Sequence, residues 1–130
     1  MILLDTCALV WMTNQPDLLS PKAADAIRRN ADAIAVMAIS AWEVAIKCRD
    51  GGLLLAARYS PQEWYAEAVR RYGLHEIPLD SHVLCESVTL PPIHRDPCDR
   101  MIIAAARRHC LPIITADTTM PKYPEVSVIW

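Results

Sequence analysis

The sequence predicts an α/β fold: one domain with a central parallel sheet of about five strands, flanked by helices. Short apolar runs alternate with helical segments along the chain. Strands that alternate with helices form parallel sheets, because each connection must return over the sheet. The length of 130 residues supports one core rather than two, so we expect a single domain over residues 1–130. A hydrophobic share of 53% with 22% charged residues is typical of globular proteins and argues against a disordered chain.

The first third of the chain predicts a strand, a helix and a second strand. Residues 1–5 form a continuous apolar run that ends at an acid, which indicates a buried strand. Ser20 and Pro21 are typical of a helix start, because the hydroxyl can accept from free amides and proline at the first helical position loses no hydrogen bond. This helix is expected to run to about Asn30, and the apolar run 33–39 predicts the second strand.

The middle of the chain predicts two helices. Ser40 and Glu43 have the spacing of a capping box and predict a helix that ends near Gly51. The same start signal recurs at residues 60–63, and Gly73 is expected to end that second helix.

The last part of the chain predicts two more helices and the remaining strands. Asp80 is expected to cap a helix that lasts to about Val88. Asp96 and Pro97 begin the best-defined helix of the chain, which continues to about Cys110. Three strands and one loop complete the chain, the strands at 75–77, 112–115 and 126–130 and the loop at 90–94.

Charge and cysteine content narrow the class of protein. The net charge of −2 argues against a wholly basic surface, although a basic rim around an acidic site would average to nearly zero. Five cysteines without a C-x-x-C pair favour free thiols in a reducing compartment over a disulfide framework or a zinc ribbon. The start lacks the basic segment of a signal peptide, and no apolar run approaches the roughly 18 residues of a membrane span. We therefore expect a cytoplasmic protein with no membrane partner.

Acidic side chains follow several of the predicted strands. Asp5 ends the first strand, and Asp117 follows the strand predicted at 112–115. Glu43 and Asp99 are expected in the first turns of two helices, and Asp96 at the cap of the second of these. Ligands of open α/β sheets bind outside the carboxyl ends of the strands. The five acids are therefore expected to converge on one crevice.

Each acid also has a structural interpretation. Asp96 before a proline suits an N-cap, and Asp117 suits a turn that its own side chain stabilises. Glu43 and Asp99 would meet the helix dipole favourably, an interaction of about 0.3–1 kcal/mol each. Asp5 gains nothing structurally unless it caps the segment that follows it.

Taken together, the acids favour a metal site. Carboxylates crowded into a partly desolvated crevice repel one another, and a hard divalent cation with oxygen ligands is the usual counterweight. No His or Cys is expected to cluster with these acids, so Mg²⁺ or Mn²⁺ is favoured over Zn²⁺. Such an ion lowers the pKa of a bound water and clamps a phosphodiester, which is the chemistry of metal-dependent nucleases.

Five stretches, in this order and at this spacing, form a more specific pattern. They are Ile2–Leu9, Ser40–Lys47, His94–Met101, Ile113–Asp117 and Val126–Trp130. The pattern resembles the PIN-domain ribonucleases, and among them the VapC-like toxins of bacterial toxin–antitoxin pairs. Three residues depart from it: Cys98 stands where an aromatic is usual, Cys7 where a polar residue or His is usual, and Gly52 where a basic residue is common.

The resemblance implies a four-acid site of Asp5, Glu43, Asp99 and Asp117 that holds one or two Mg²⁺ or Mn²⁺ ions. Asp5 and Asp99 would hold an ion most directly, and the other two would complete its shell or hold a second ion. Asp96 is auxiliary in this comparison. The resemblance also implies an endoribonuclease that hydrolyses RNA phosphodiesters. It further implies a homodimer, inhibited by a small antitoxin whose tail lies across the acidic groove.

Four further residues are candidates for supporting roles. Lys47 lies four residues after Glu43 on one helix face, where it either orients that carboxylate, contacts a scissile phosphate or forms a surface ion pair. Thr6 and Thr115 flank the acids and either hydrogen-bond a water or carboxylate or simply favour strand ends. Arg100 either grips the RNA backbone or solvates the rim of the crevice.

One histidine and four aromatic residues are given structural interpretations. His94, in a loop near the acids, is expected to be solvated rather than catalytic. Trp11, Trp42, Trp64 and Tyr65 are expected in the core or a dimer interface, because they lack the interleaved basic residues of base-stacking surfaces.

Three other functions are weighed against the nuclease. A phospho-receiver domain needs adjacent acids after its first strand, and an aspartyl phosphatase needs Asp-x-Asp there, whereas Asp5 stands alone. A module of the same fold that binds metal or partners without catalysis stays open, although the intact acid set argues against it.

Overall fold

The computed structural model describes all 130 residues. They form a five-stranded parallel sheet with strand order β3-β2-β1-β4-β5, flanked by six α-helices. The strands are β1 (Ile2–Leu4), β2 (Ile34–Met37), β3 (His75–Ile77), β4 (Ile113–Ile114) and β5 (Val128–Ile129). The helices are α1 (Thr6–Asn14), α2 (Pro21–Arg29), α3 (Ile39–Arg49), α4 (Pro61–Tyr72), α5 (Ser81–Thr89) and α6 (Pro97–His109). The predicted fold class is confirmed.

Both faces of the sheet are buried, as a parallel sheet requires. Side chains alternate across the central strand β1, so Leu3 points to one face while Ile2 and Leu4 point to the other. The first face packs against apolar residues of α5 and α6, and the second against those of α1, α2, α3 and α4. No helix is long and apolar enough to cross a membrane.

The N-terminal caps predicted for α2, α4 and α5 are confirmed. The Ser60 hydroxyl accepts from the Glu63 amide, and the Glu63 carboxylate accepts from the Ser60 amide, so the capping box of α4 is complete. Asp80 caps α5, and Ser20 caps α2. Gly73 ends α4 in the left-handed region at φ 60°.

The predicted capping box at Ser40 is wrong. Helix α3 begins two residues earlier, at Ile39 with Ala38 as its N-cap residue, and no side chain caps its first turn. The Ser40 hydroxyl instead accepts a buried hydrogen bond of 2.9 Å from Thr6. Glu43 therefore lies in the second turn of α3, not the first. The preceding strand also ends earlier than predicted, at Met37.

The aromatic residues divide between core and surface. Trp64 and Tyr65 are buried in the core, and the Tyr65 hydroxyl donates to the Met37 carbonyl at 3.1 Å. Trp11 packs against Trp130 with ring centroids 5.4 Å apart. Trp42 is 56% exposed, so it is not a core residue.

Candidate active site

The acids lie where neighbouring strands end. Asp5 follows β1 directly, and Asp117 follows the adjacent strand β4. Glu43 lies on α3, the helix after β2, and Asp99 lies in the first turn of α6. The carboxyl ends of these parallel strands share one edge of the sheet, so the topology brings the four side chains to one side of the molecule.

Asp5 is a buried carboxylate whose pKa is raised by burial and lowered by hydrogen bonds. Its Oδ1 accepts from the Ala8 amide at 2.6 Å and so caps α1. Burial raises its pKa from 3.8 to about 6, against the lowering effect of the Thr115 hydroxyl and the Ala8 amide. Repulsion from Glu43 raises the pKa further. The capping interpretation of Asp5 is therefore correct, but it leaves the cost of the buried charge unexplained.

Asp99 shares this unfavourable environment. Burial raises its pKa above the ordinary value, and repulsion from Asp96 raises it further. The adjacent His94 lowers this pKa, and the more weakly acting Glu43 and Asp5 raise it. The charge of Glu43 thus acts on both Asp5 and Asp99.

Asp117 is joined to the same group through His94. The His94 Nε2 atom lies 3.1 Å from Asp117 Oδ2 and 3.1 Å from Asp99 Oδ2. The expectation that His94 is solvated is wrong, because its side chain is only 11% exposed. The expectation that no His clusters with the acids is also wrong, because His94, Asp99 and Asp117 lie within reach of one ion.

The Oδ1 atom of Asp117 stabilises a turn, as predicted from the sequence. Oδ1 accepts from the amides of Thr119 and Met120 at 2.6 and 2.7 Å. Partial burial raises the pKa of Asp117, but these hydrogen bonds and that of His94 outweigh it, so the pKa lies below its ordinary value. Asp117 thus stays ionised and presents Oδ2 to the site.

Asp96 is the N-cap of α6. Its Oδ1 accepts from the amides of Cys98 and Asp99 at 2.8 and 3.4 Å. Its own backbone amide donates to His94 Nδ1 at 3.1 Å. Asp96 therefore supports the site through the helix start and through the histidine ring.

Arg100 is bound to the protein rather than free for RNA, which contradicts the phosphate-binding interpretation. Its guanidinium donates to carbonyl oxygens of the segment 87–94, among them Leu90 at 2.7 Å and His94 at 3.1 Å. Three further carbonyls of that segment and the Tyr123 hydroxyl lie within 3.4 Å of the same group. The donors of Arg100 are thus used to hold the loop before α6.

Lys47 contacts Glu43 on the same helix face. Its Nζ lies 3.8 Å from Glu43 Oε1 and 3.5 Å from Cys7 Sγ, which favours the orienting role among the alternatives. The second oxygen, Glu43 Oε2, is buried and has no hydrogen-bond partner. The two threonines are paired within the protein: Thr6 donates to Ser40, and Thr115 Oγ1 accepts from the Asp117 amide at 3.0 Å.

The donor set fits a hard divalent cation. A buried carboxylate oxygen without a partner is costly unless something neutralises it. Glu43 Oε2 is such an oxygen, and the pKa values of Asp5 and Asp99 are raised by burial first and by repulsion from neighbouring acids second. Carboxylate oxygens are the ligands that Mg²⁺ and Mn²⁺ prefer.

Comparison with known proteins gives the family. A family model described as PIN domain matches residues 2–126. The chain belongs to the PIN domain family. This PIN domain is also 32% identical over 133 residues to Ribonuclease VapC22 of Mycobacterium tuberculosis (strain ATCC 25618 / H37Rv), covering 99% of this chain and 98% of that protein. The resemblance noted in the sequence is confirmed, and the family match agrees with the arguments against a receiver domain and an aspartyl phosphatase.

Solved structures share the fold of this PIN domain. A toxin–antitoxin complex from Klebsiella pneumoniae matches with a TM-score of 0.65 and 20% identity, covering 97% of this chain and 95% of that chain. VapBC2 from Rickettsia felis, bound to a DNA fragment from its promoter, matches with a TM-score of 0.69 and 14% identity, covering 98% and 97%. FitAcB from Neisseria gonorrhoeae matches with a TM-score of 0.64 and 22% identity, covering 98% and 96%.

Proposed function

We propose that this PIN domain is a metal-dependent endoribonuclease, the toxin of a toxin–antitoxin pair, with residues 1–130 acting as one nuclease domain. Its 32% identity to a protein named as a ribonuclease supports the substrate class. The observation that carries the metal dependence is Glu43 Oε2, a buried and unpartnered carboxylate oxygen beside two acids whose pKa values are raised.

Asp5, Glu43, Asp99 and Asp117 would hold one or two Mg²⁺ or Mn²⁺ ions. When bound, such an ion supplies an acidified water and offsets charge on the phosphodiester. The remaining residues arrange these carboxylates. Lys47 orients Glu43, and the Asp117 amide is tied to Thr115. Two carboxylates are also fixed by backbone amides, since Asp5 caps α1 and Asp117 closes its turn.

Two protein partners belong to the proposal. A small antitoxin would inhibit the chain, which is supported by a fold neighbour from Klebsiella pneumoniae that is described as a toxin–antitoxin complex. A second copy of this chain would pack on the face around Trp42, a 56% exposed aromatic residue beside apolar cavities.

The test is cleavage of a defined RNA with mapped ends by the purified chain. We expect cleavage with Mg²⁺ or Mn²⁺ that stops with EDTA. Asp99→Asn keeps the shape of the side chain but removes its charge, and should reduce the rate by more than the roughly 10–100-fold that an outer-shell partner costs. Asp50→Asn is the matched control, because Asp50 is an exposed acid at the end of α3 that pairs with Arg49.

Two outcomes would contradict the proposal in different ways. Cleavage that survives both EDTA and Asp99→Asn would reject the metal mechanism. Measured Mn²⁺ binding without cleavage of any tested RNA would instead favour a module that binds metal but lacks catalysis.

A further inference from the structure

His94 is held rigidly by groups from three parts of the chain. Its backbone amide donates to the Tyr123 hydroxyl at 2.7 Å, and its carbonyl accepts from Arg100 at 3.1 Å. The Tyr123 hydroxyl in turn donates to the Pro91 carbonyl at 2.9 Å. The ring is fixed separately, because Nδ1 accepts from the Asp96 amide at 3.1 Å. The orientation of the imidazole is therefore set by the protein before any ligand arrives.

The contact with Asp96 also determines where the ring carries its proton. A backbone amide is always a donor, so Nδ1 must offer a lone pair to it. A neutral imidazole with a lone pair on Nδ1 carries its hydrogen on Nε2. Nε2–H then points at Asp117 Oδ2, 3.1 Å away. A protonated Nε2 has no lone pair for a metal ion, although His94, Asp99 and Asp117 lie within reach of one.

We propose that His94 is a positioning residue that holds the Asp117 carboxylate beside Asp99 through Nε2–H and is not itself a metal ligand. This inference rests on the proposed function in that it assigns both carboxylates to the metal site. Oδ1 of Asp117 is already fixed by two amides, so the histidine determines which way Oδ2 faces. Asp99 Oδ2 lies equally close to the same ring atom, so the imidazole N–H sets the spacing of two acids that would otherwise repel.

The proton position is tested on the wild-type chain by long-range ¹H–¹⁵N NMR. Spectra are taken at about pH 8, without metal and with Mg²⁺, which is diamagnetic. We expect the His94 ring to be protonated at Nε2 and not at Nδ1 in both samples. Protonation at Nδ1 in the Mg²⁺ sample would leave Nε2 without its hydrogen and with a lone pair available to the ion, and would overturn the proposal.

Two variants separate the two ring nitrogens. The side-chain nitrogen of His94→Gln reaches the position of Nε2 and keeps the donor to Asp117. The side-chain oxygen of His94→Asn replaces only Nδ1 and keeps the acceptor for the Asp96 amide. We expect Asn to weaken Mn²⁺ binding by about 10–100-fold, the usual effect of losing an outer-shell partner, and Gln to restore most of it. Calorimetric titration measures both affinities.

Equal Mn²⁺ affinity of wild type and His94→Asn would overturn the positioning role. Failure of the wild-type chain to bind either ion would overturn the proposed metal site as well. The proton position in the metal-free chain tells these failures apart, because it does not depend on metal binding or on cleavage.

Discussion

Asp5 shows at the scale of one residue why a structural role does not account for a charged side chain. Its oxygen caps α1, and an asparagine oxygen would accept the same hydrogen bond. Burial nevertheless raises its pKa from 3.8 to about 6. Because the folded chain holds this proton more tightly than the unfolded chain, the free energy of unfolding falls as pH rises from about 4 to about 6.

Asp5→Asn should therefore stabilise the metal-free protein at pH 7.5. A shift from 3.8 to about 6 is about two pKa units, which corresponds to at most about 3 kcal/mol at about 1.4 kcal/mol per unit. The gain should largely disappear near pH 3, below the unfolded-state pKa of 3.8, where the carboxyl group is mostly protonated in both states. Urea unfolding of both proteins at the two pH values measures it.

Asp80→Asn is the matched control for this prediction. Asp80 caps α5 with the same geometry, but it is only half-buried, and the hydrogen bond from the Val83 amide lowers its pKa. Loss of its charge should therefore lower stability at pH 7.5 rather than raise it. A gain for Asp80→Asn, or a loss for Asp5→Asn that is equal at both pH values, would contradict the role given to burial.

Single elements could be predicted from the sequence where their signals are local. The caps of α4, α5 and α6 each lie within three residues of the amides they bind, so Ser60, Asp80 and Asp96 were identifiable. Ser40 was misassigned because its hydroxyl pairs with Thr6, 34 residues away in the sequence. The lengths of β1, β2, β4 and β5 were overestimated because an apolar run does not show where pairing stops, whereas the bounds of β3 were correct.

His94 could not be placed from the sequence for the same reason. Its loop is held by Arg100 and by Tyr123, which is 29 residues away. The only local signal is its position two residues before the cap Asp96, whose amide binds the ring.

Two substitutions of Asp96, at the start of α6, distinguish its role as an N-cap from a role as a metal ligand. Asp96→Ala removes the acceptor for the Cys98 amide and should cost about 1 kcal/mol of stability, the usual loss for an N-cap. Asp96→Asn keeps this acceptor, so we expect near wild-type stability and near wild-type Mn²⁺ affinity. Urea unfolding and calorimetric titration provide the two readouts. An Asn variant that is stable but binds Mn²⁺ much more weakly would make Asp96 a ligand.

The convergence of the acids was predictable at the scale of the whole molecule. Parallel strands place their carboxyl ends at one edge, so acids far apart in the sequence meet once the sheet is predicted. The outer surface follows no such rule. Trp42 is preceded and followed by helix residues that are buried or half-buried, and only the folded chain shows it 56% exposed.

The face around Trp42 combines an exposed aromatic side chain with apolar cavities. We define the Trp42 face by two cavities that share this residue. One, of about 620 Å³, lies between α3 and α4 against Tyr65 and Val69. The other, of about 370 Å³, lies between α3 and α6 against Leu79 and Met101. Contiguous apolar surface of this kind marks interaction sites in soluble proteins.

Trp42→Glu tests whether a second copy covers this face. Interface tryptophans commonly contribute 2 kcal/mol or more, so a central Trp42 should weaken the dimer by at least about 30-fold. Leu54→Glu is the control, because Leu54 is 87% exposed but lies in the loop before α4, outside the Trp42 face. Sedimentation velocity over a concentration series should show wild type and Leu54→Glu as dimers where Trp42→Glu is a monomer. A monomeric wild type, or a Trp42→Glu dimer of unchanged affinity, would place the contact elsewhere and leave the exposed indole without this explanation.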